Sequence, residues 1–182
     1  LMKRDWRWSL PACAISAIRS PRMRLLTWTA FWAFLADQLT KYLVVHVMAL
    51  ERNSPIEVFP PFLTFIMGRN YGINFGLFAN QGDAMRWVLI GLALAICGMV
   101  VYWMRSETSR WSFLSAGLLI GGALGNVIDR VLYGYVADFL NMSCCGIRYP
   151  YTFNVADIAI FAGAIGRVIF TGEKKTDDAK TP

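Results

Sequence analysis

Four runs of mostly apolar residues divide the chain, at roughly Leu25–His46, Met85–Met104, Trp111–Val131 and Asn154–Thr171. A helix needs about 20 such residues to cross the hydrocarbon core of a bilayer. Lipid admits isolated spanning segments only as helices, because every backbone polar group must be satisfied within the segment. The pattern therefore predicts four transmembrane helices. Between the first two runs, "EVFPPFLTFIMGRNYGINFGLF" has another rhythm: Pro60–Pro61 breaks the chain, and aromatic and β-branched residues follow. "YGYVADFL" (133–140) and "IRYPYTF" (147–153) share that character. They read as short strands at the membrane surface. The expected fold is an all-α polytopic membrane protein, with four transmembrane helices under a small extracytoplasmic β-rich cradle made by the outer loops.

Composition agrees with this class. Of 182 residues, 56% are hydrophobic, and the mean hydropathy is +0.43; a soluble domain lies nearer half apolar and lacks such runs. The net charge of +6 could suit nucleic acid, but its distribution argues against that. Lys3, Arg4, Arg7, Arg19, Arg22 and Arg24 precede the first run, Arg105 and Arg110 flank the turn between the second and third, and Arg167, Lys174, Lys175 and Lys180 close the chain. Fewer basic residues stand on the other side: Arg52, Arg69, Arg86 and Arg148, with Lys41 and Arg130 near helix ends. The positive-inside rule then puts both termini and the 105–110 turn in the cytoplasm, and the 47–84 and 132–153 loops outside.

The chain divides into a basic, Trp-bearing cytoplasmic extension (1–22), a four-span domain (23–171) and a polar cytoplasmic tail (172–182) expected to be disordered. "LPAC" (10–13) faintly resembles a lipoprotein cleavage site, but "LMKRDWRWS" ahead of it is no apolar signal core. Met23 offers a second start. Cys13, Cys97 and the adjacent Cys144 and Cys145 form no disulfide framework. One histidine, His46, with no HExxH or CxxC, leaves too few ligands for a metal site.

The informative residues are polar ones near the outer ends of the spans, where ionisable groups cost about 2.5–3.5 kcal/mol each at the bilayer centre on insertion scales. "DQLTK" sets Asp37 and Lys41 four apart on one helical face, either a structural ion pair or a functional charge pair. "NYGINFGLF" reads as an ordinary turn or as a place where backbone approaches a ligand. In "GGALGNVIDRVLYGYVADF", Gly121, Gly122, Ala123 and Gly125 permit close helix packing. Asn126, Asp129 and Arg130 follow, with Asp129–Arg130 readable as a helix-end ion pair. Asn154 suits the N-cap of the last helix, with Asp157 as its third residue, a favourable place for a carboxylate. Asp138 and Asp157 flank one outer excursion that returns to the same bundle. Two carboxylates close together in a low dielectric cannot both ionise easily, so one keeps its proton. That supplies an acid and a base from one residue type.

These residues resemble those of the lipoprotein signal peptidases, the type II signal peptidases of bacteria. The likeness runs from about Met23 to Thr171 and rests on "DQLTK" (37–41), "NYGINFG" (70–76), "NVIDR" with "VADF" (126–139) and "FNVAD" (153–157), in order. It implies an aspartic endopeptidase of the cytoplasmic (inner) membrane. Such an enzyme removes the signal peptide from diacylglyceryl-modified prolipoproteins by cleaving before the lipidated cysteine of the lipobox. It implies the catalytic pair Asp138 and Asp157. It also implies supporting or substrate-binding roles for Asp37, Lys41, Asn70, Gly72, Asn126, Asp129, Arg130 and Asn154. The implied partners are the prolipoprotein, membrane lipids and globomycin-type inhibitors, with no nucleic acid and no cofactor. Ile73 and Asn74 stand where the family usually has small residues before the Phe, a departure expected to alter how the loop meets substrate or inhibitor.

In the expected mechanism one carboxylate takes a proton from a water, the other hydrogen-bonds the scissile carbonyl, and the proton passes to the leaving amine. Which aspartate starts protonated is open, because such a pair titrates as a unit. Asn70, Asn126, Arg130 and Asn154 are the expected substrate and loop-fixing donors. Phe139, Tyr149 and Tyr151 suit an interfacial aromatic belt. Competing readings are weaker. A transporter with Asp37, Lys41, Asp129 and Arg130 along a polar path lacks a visible inverted repeat. A Ser–Lys peptidase would have to use Ser143 and Lys41, which no motif joins, and the GxGD of presenilin-like proteases is absent.

Overall fold

The computed structural model describes residues 21–72, 82–143 and 150–171. The expectations for the N-terminal extension before Pro21, the C-terminal tail, Cys13, Ile73, Asn74, Gly76, the Cys144–Cys145 pair and Tyr149 lie outside the described residues. The elements are α1 (Pro21–Lys41), a π-helical continuation (Tyr42–Val47), a short α2 (Leu50–Asn53), β1 (Ile56–Phe59), β2 (Leu63–Asn70), α3 (Gly82–Trp103) with a 3-10 turn (Met104–Ser106), α4 (Arg110–Tyr133), β3 (Val136–Met142) and α5 (Val155–Thr171). The four long helices fall where the apolar runs predicted helices, and β1, β2 and β3 lie in two of the three segments read as strands; of "IRYPYTF" the described residues 150–153 form no strand, only an isolated bridge of Phe153 to Leu140. Among the described residues, Ala84–Ser106 and Arg110–Tyr133 are the two helices long and apolar enough to cross a membrane. In α1, Arg22, Arg24, Asp37 and Lys41 dilute the apolar run, and α5, with 17 residues, is about two turns shorter than the 24-residue α4.

α4 is the central helix, packed against α1, α3 and α5. Its small residues set the spacing. A Cβ built on Gly122 would lie 2.5 Å from the Ala156 carbonyl of α5, and one on Gly117 2.8 Å from the Leu26 carbonyl of α1. Ala116, Phe113 and Ile120 of α4 meet Leu26 of α1 and Val100 and Met104 of the α3 segment in one apolar core. The outward faces are also apolar: Trp32 is 60% exposed, Phe161 69% and Val168 79%. Buried polar residues include Asp37, Lys41, Asn126, Asp129, Asp138 and Asn154. Apolar outside and polar inside is the distribution expected when the surrounding medium is lipid.

The sheet is antiparallel in the order β1-β2-β3, with Gly68 opposite Asp138 and Asn70 opposite Val136. α4 stops at Gly134, whose φ of +83° lets its N–H turn back to the Arg130 carbonyl (3.1 Å), the usual glycine end of a helix. β3 therefore begins directly above the end of α4. Phe153 then exchanges backbone hydrogen bonds with Leu140 (3.0 and 2.8 Å), which draws the chain back beside β3 just before α5 starts. The interfacial role expected for Phe139 is overturned. It is 1% exposed, edge-on to Phe65 with ring centres 5.6 Å apart, beneath the sheet with Val44 and Leu50. Strand alternation turned it inward. Tyr151 is 76% exposed, as a belt residue would be.

Candidate active site

The two carboxylates come from different elements, Asp138 from β3 and Asp157 from the first turn of α5. Asn154 joins them. It caps α5: its Oδ1 accepts the Asp157 N–H (2.9 Å), and Asp157 Oδ2 accepts the Asn154 N–H (3.2 Å). This reciprocal pair satisfies two otherwise orphan donors of the helix start. The same Asn154 gives its amide Nδ2 to Asp138 Oδ1 (2.6 Å) and to Asn126 Oδ1 (3.3 Å). One residue thus starts the helix and positions both carboxylates.

Two further amides complete the cradle. Asn70, the last residue of β2, donates Nδ2 to Asp138 Oδ2 (3.0 Å). Its own Oδ1 accepts the N–H of Gly72 (2.9 Å), whose φ of +108° is open to glycine and strained for other residues. Asn126, on α4, donates Nδ2 to Asp157 Oδ1 (3.0 Å). Each of the four carboxylate oxygens therefore accepts an N–H, so both side chains are held in fixed orientation. Burial, and next the charge of Asp157, push the Asp138 carboxyl up to about 6, against the pull of the Asn70 and Asn154 donors. Asp138 thus holds a proton in a pH range where an ordinary carboxylate would not.

A second cluster lies behind the pair. Lys41 Nζ meets Asp37 Oδ2 (2.7 Å), Asp129 Oδ2 (2.6 Å) and Asn126 Oδ1 (3.3 Å), all buried. The expected Asp37–Lys41 pair is present and gains a second carboxylate. The other oxygen of Asp37 accepts the N–H of Ala156 (2.9 Å), so α1 ties down the start of α5. The expected Asp129–Arg130 pair is not formed: Asp129 turns to Lys41, while Arg130 gives Nη1 to the Asn126 carbonyl (3.2 Å). Neighbours on a helix point about 100° apart, so adjacency does not make them partners. Arg130 remains within electrostatic reach of Asp138 and Asp157.

All ten residues singled out in the sequence thus lie in or beside one network. Gln38 was missed. Its Nε2 lies 2.9 Å from Asp129 Oδ1, 3.2 Å from Asp37 Oδ2 and 3.3 Å from the Gly125 carbonyl. An amide inside an apolar run was the available signal. Ser143, the serine of the Ser–Lys alternative, donates its hydroxyl to Asn141 (3.0 Å), and Lys41 is held in its ion cluster. A buried carboxyl disposed to hold a proton, beside a half-buried one, both flanked by amide donors, has the parts of acid–base hydrolysis.

Comparison with known proteins agrees. The family model described as signal peptidase (SPase) II matches residues 29–171. A lipoprotein signal peptidase of Sphingopyxis alaskensis is 36% identical over 163 residues, covering 88% of this chain and 94% of the relative. One from Aeromonas hydrophila is 40% identical over 154 residues, covering 82% and 90%. Two solved structures of a bacterial membrane enzyme obtained by the in meso method superpose with TM-scores of 0.70 and 0.71, at 29% and 28% identity. They cover 88% and 84% of this chain and 94% and 96% of their own. A match spanning nearly all of the described fold, together with that identity to full-length relatives, makes this chain a member of the signal peptidase II family.

Proposed function

We propose that this membrane peptidase cleaves diacylglyceryl-modified prolipoproteins before the lipidated cysteine, with Asp138 and Asp157 as the catalytic pair. The observation that carries the assignment is the amide cradle, in which Asn154 donates to Asp138 and caps the helix turn that bears Asp157. Asp138 is the acid. Its raised carboxyl keeps a proton that hydrogen-bonds the scissile carbonyl oxygen and stabilises the charge that develops there. Asp157, in the favourable field of the α5 N-terminus, is the base that takes a proton from the attacking water. The tetrahedral intermediate then collapses as that proton reaches the departing cysteine amine. Neither step calls for a metal or cofactor.

The reading extends to the whole chain. α1, α3, α4 and α5 all span the inner membrane, both termini are cytoplasmic, and the three-stranded sheet lies at the outer face. The extension at 1–22 and the tail at 172–182 flank a single peptidase domain at 23–171. Exposed apolar residues on α1 and α5, such as Trp32 and Val168, support membrane contact for these two helices. The signal helix and acyl chains would reach the pair sideways from lipid, and water from the outer edge. Globomycin-type inhibitors would compete at the same place.

The test is cleavage of a diacylglyceryl-modified prolipoprotein in nanodiscs, comparing the parent with Asp138→Asn and Asp157→Asn, each checked for folding. The parent should cut before the modified cysteine, and both variants should lose at least a thousandfold in rate, in line with losses on removing a catalytic group. Near-parental activity in either folded variant would remove that aspartate from the pair.

A further inference from the structure

The site contains one polar side chain to which neither the sequence reading nor the mechanism assigns a role. Gln38 offers its amide nitrogen to three oxygens: Asp129 Oδ1 (2.9 Å), Asp37 Oδ2 (3.2 Å) and the Gly125 carbonyl (3.3 Å). Three acceptors around one end of the amide fix which end is nitrogen, since the flipped amide would face oxygen with oxygen. The same logic fixes Asn126. Its Oδ1 faces two donors, Lys41 Nζ and Asn154 Nδ2, and its Nδ2 faces the Asp157 carboxylate.

The number of hydrogens makes the cluster a chain of dependence. A lysine ammonium has three N–H bonds. Here Lys41 hydrogen-bonds Asp37 Oδ2 and Asn126 Oδ1, the latter the longer at 3.3 Å, and stands 2.6 Å from Asp129 Oδ2 as an ion pair. Asp129 is 2% exposed, so each of its oxygens must find a donor within the protein. Gln38 donates to Oδ1, and Oδ2 is held only by its ion-pair contact with Lys41. Without the Gln38 amide, the bare oxygen of Asp129 turns to the same ammonium. Asn126 is the contact Lys41 can most readily give up. Asn126 then loses what holds its oxygen inward, and its N–H toward Asp157 is no longer enforced.

We propose that Gln38 is a positioning residue for the hydrolysis: by occupying Asp129 Oδ1 it leaves Lys41 free to orient Asn126, and through Asn126 the Asp157 carboxylate. The inference rests on the Asp138–Asp157 reading of the site. Gln38 lies behind the pair and touches neither carboxylate of it. Its loss affects the chemical step and leaves substrate binding intact.

The experiment uses the full chain in nanodiscs with the lipidated prolipoprotein, measuring kcat, KM and thermal midpoint for the parent, Gln38→Met, Gln38→Glu and Gln38→His. Met keeps the length and loses the amide. Glu keeps the shape and puts an acceptor where a donor was. His restores an N–H at similar reach. Met and Glu should lower kcat about tenfold, of the order of one charge-assisted hydrogen bond, with KM within about twofold, and His should recover most of the loss. If Met does not fold, Glu carries the same expectation. An unchanged kcat per folded molecule overturns the proposal, whatever the thermal midpoint, because a purely structural amide would move only stability. So does a loss confined to KM, or a His variant no better than Met. Parallel Asp138→Asn and Asp157→Asn controls separate the two claims. If these stay active, the catalytic pair has failed; if they are dead while Gln38→Met is parental, only the role of Gln38 has failed.

Discussion

Asp138 is placed between two amide donors that favour its charge and a neighbouring Asp157 that opposes it. Burial tips the balance, and the carboxyl rises to about 6 from an ordinary value of 3.8. The sign has a direct consequence. Below about 6 the group is protonated and can act as an acid; above it the proton is lost, and the alkaline limb of kcat/KM for the free enzyme should fall there. Asp157→Asn removes the adjacent charge, so the Asp138 titration should move downward. Carbon-13 carboxyl shifts of aspartate-labelled protein in detergent would follow it. No movement on removing Asp157 would mean that the two carboxyls do not sense each other. The family resemblance of "VADF" and "FNVAD" nominated the proposed pair; which member keeps the proton was not legible there, because that depends on burial and on which amides point at which oxygen.

The elements fit together through small residues at specific heights. Gly122 of α4 faces the Ala156 carbonyl, and Gly125 faces Asp37, where an added Cβ would come within 2.5 Å in each case. Gly98 of α3 has open space around it. Gly122→Val should therefore cost about 1–3 kcal/mol through overpacking and lower the thermal midpoint in detergent, with α5 pushed away from α4. Gly98→Ala should leave the midpoint at or above the parent's, since alanine is the better helix former. Equal loss from both would show that helix contact at Gly122 is not what limits stability. The cluster of small residues was visible in "GGALG" as a packing signal. The sequence did not reveal that Gly121 would face α1 and Gly122 α5, because one step along a helix rotates a side chain by about 100°.

Over the whole molecule, buried polarity gathers where α1, α4, α5 and β3 meet, and apolar side chains face outward. The basic turn at Arg105 and Arg110 lies at the opposite end of α4 from the carboxylates. The positive-inside bias is the ground for the proposal that the site faces outward. The check is labelling with a membrane-impermeant maleimide, in a background with the native cysteines replaced by serine. Glu57→Cys on β1 should label in intact spheroplasts. Thr108→Cys, in the 105–110 turn, should label only after permeabilisation. The reverse pattern would invert the topology and put the carboxylate pair on the cytoplasmic side.

From the sequence, apolar run length determined the helices, alternating aromatic and β-branched residues marked β1, β2 and β3, and the family resemblance of four ordered polar blocks nominated the residues of the candidate site. These are local properties, legible because the helix and strand periods are fixed by backbone geometry. Tertiary structure decided the partners. Asp129 pairs with Lys41 and not with its neighbour Arg130, Asp37 holds the first turn of α5, Phe139 lies in the core, and Gln38 joins the cluster. The physical reason is common to all four. A buried polar group must satisfy its donors or acceptors from whatever the packed neighbours present, and which neighbours those are is set by how helices rotate and cross, information that no single segment contains.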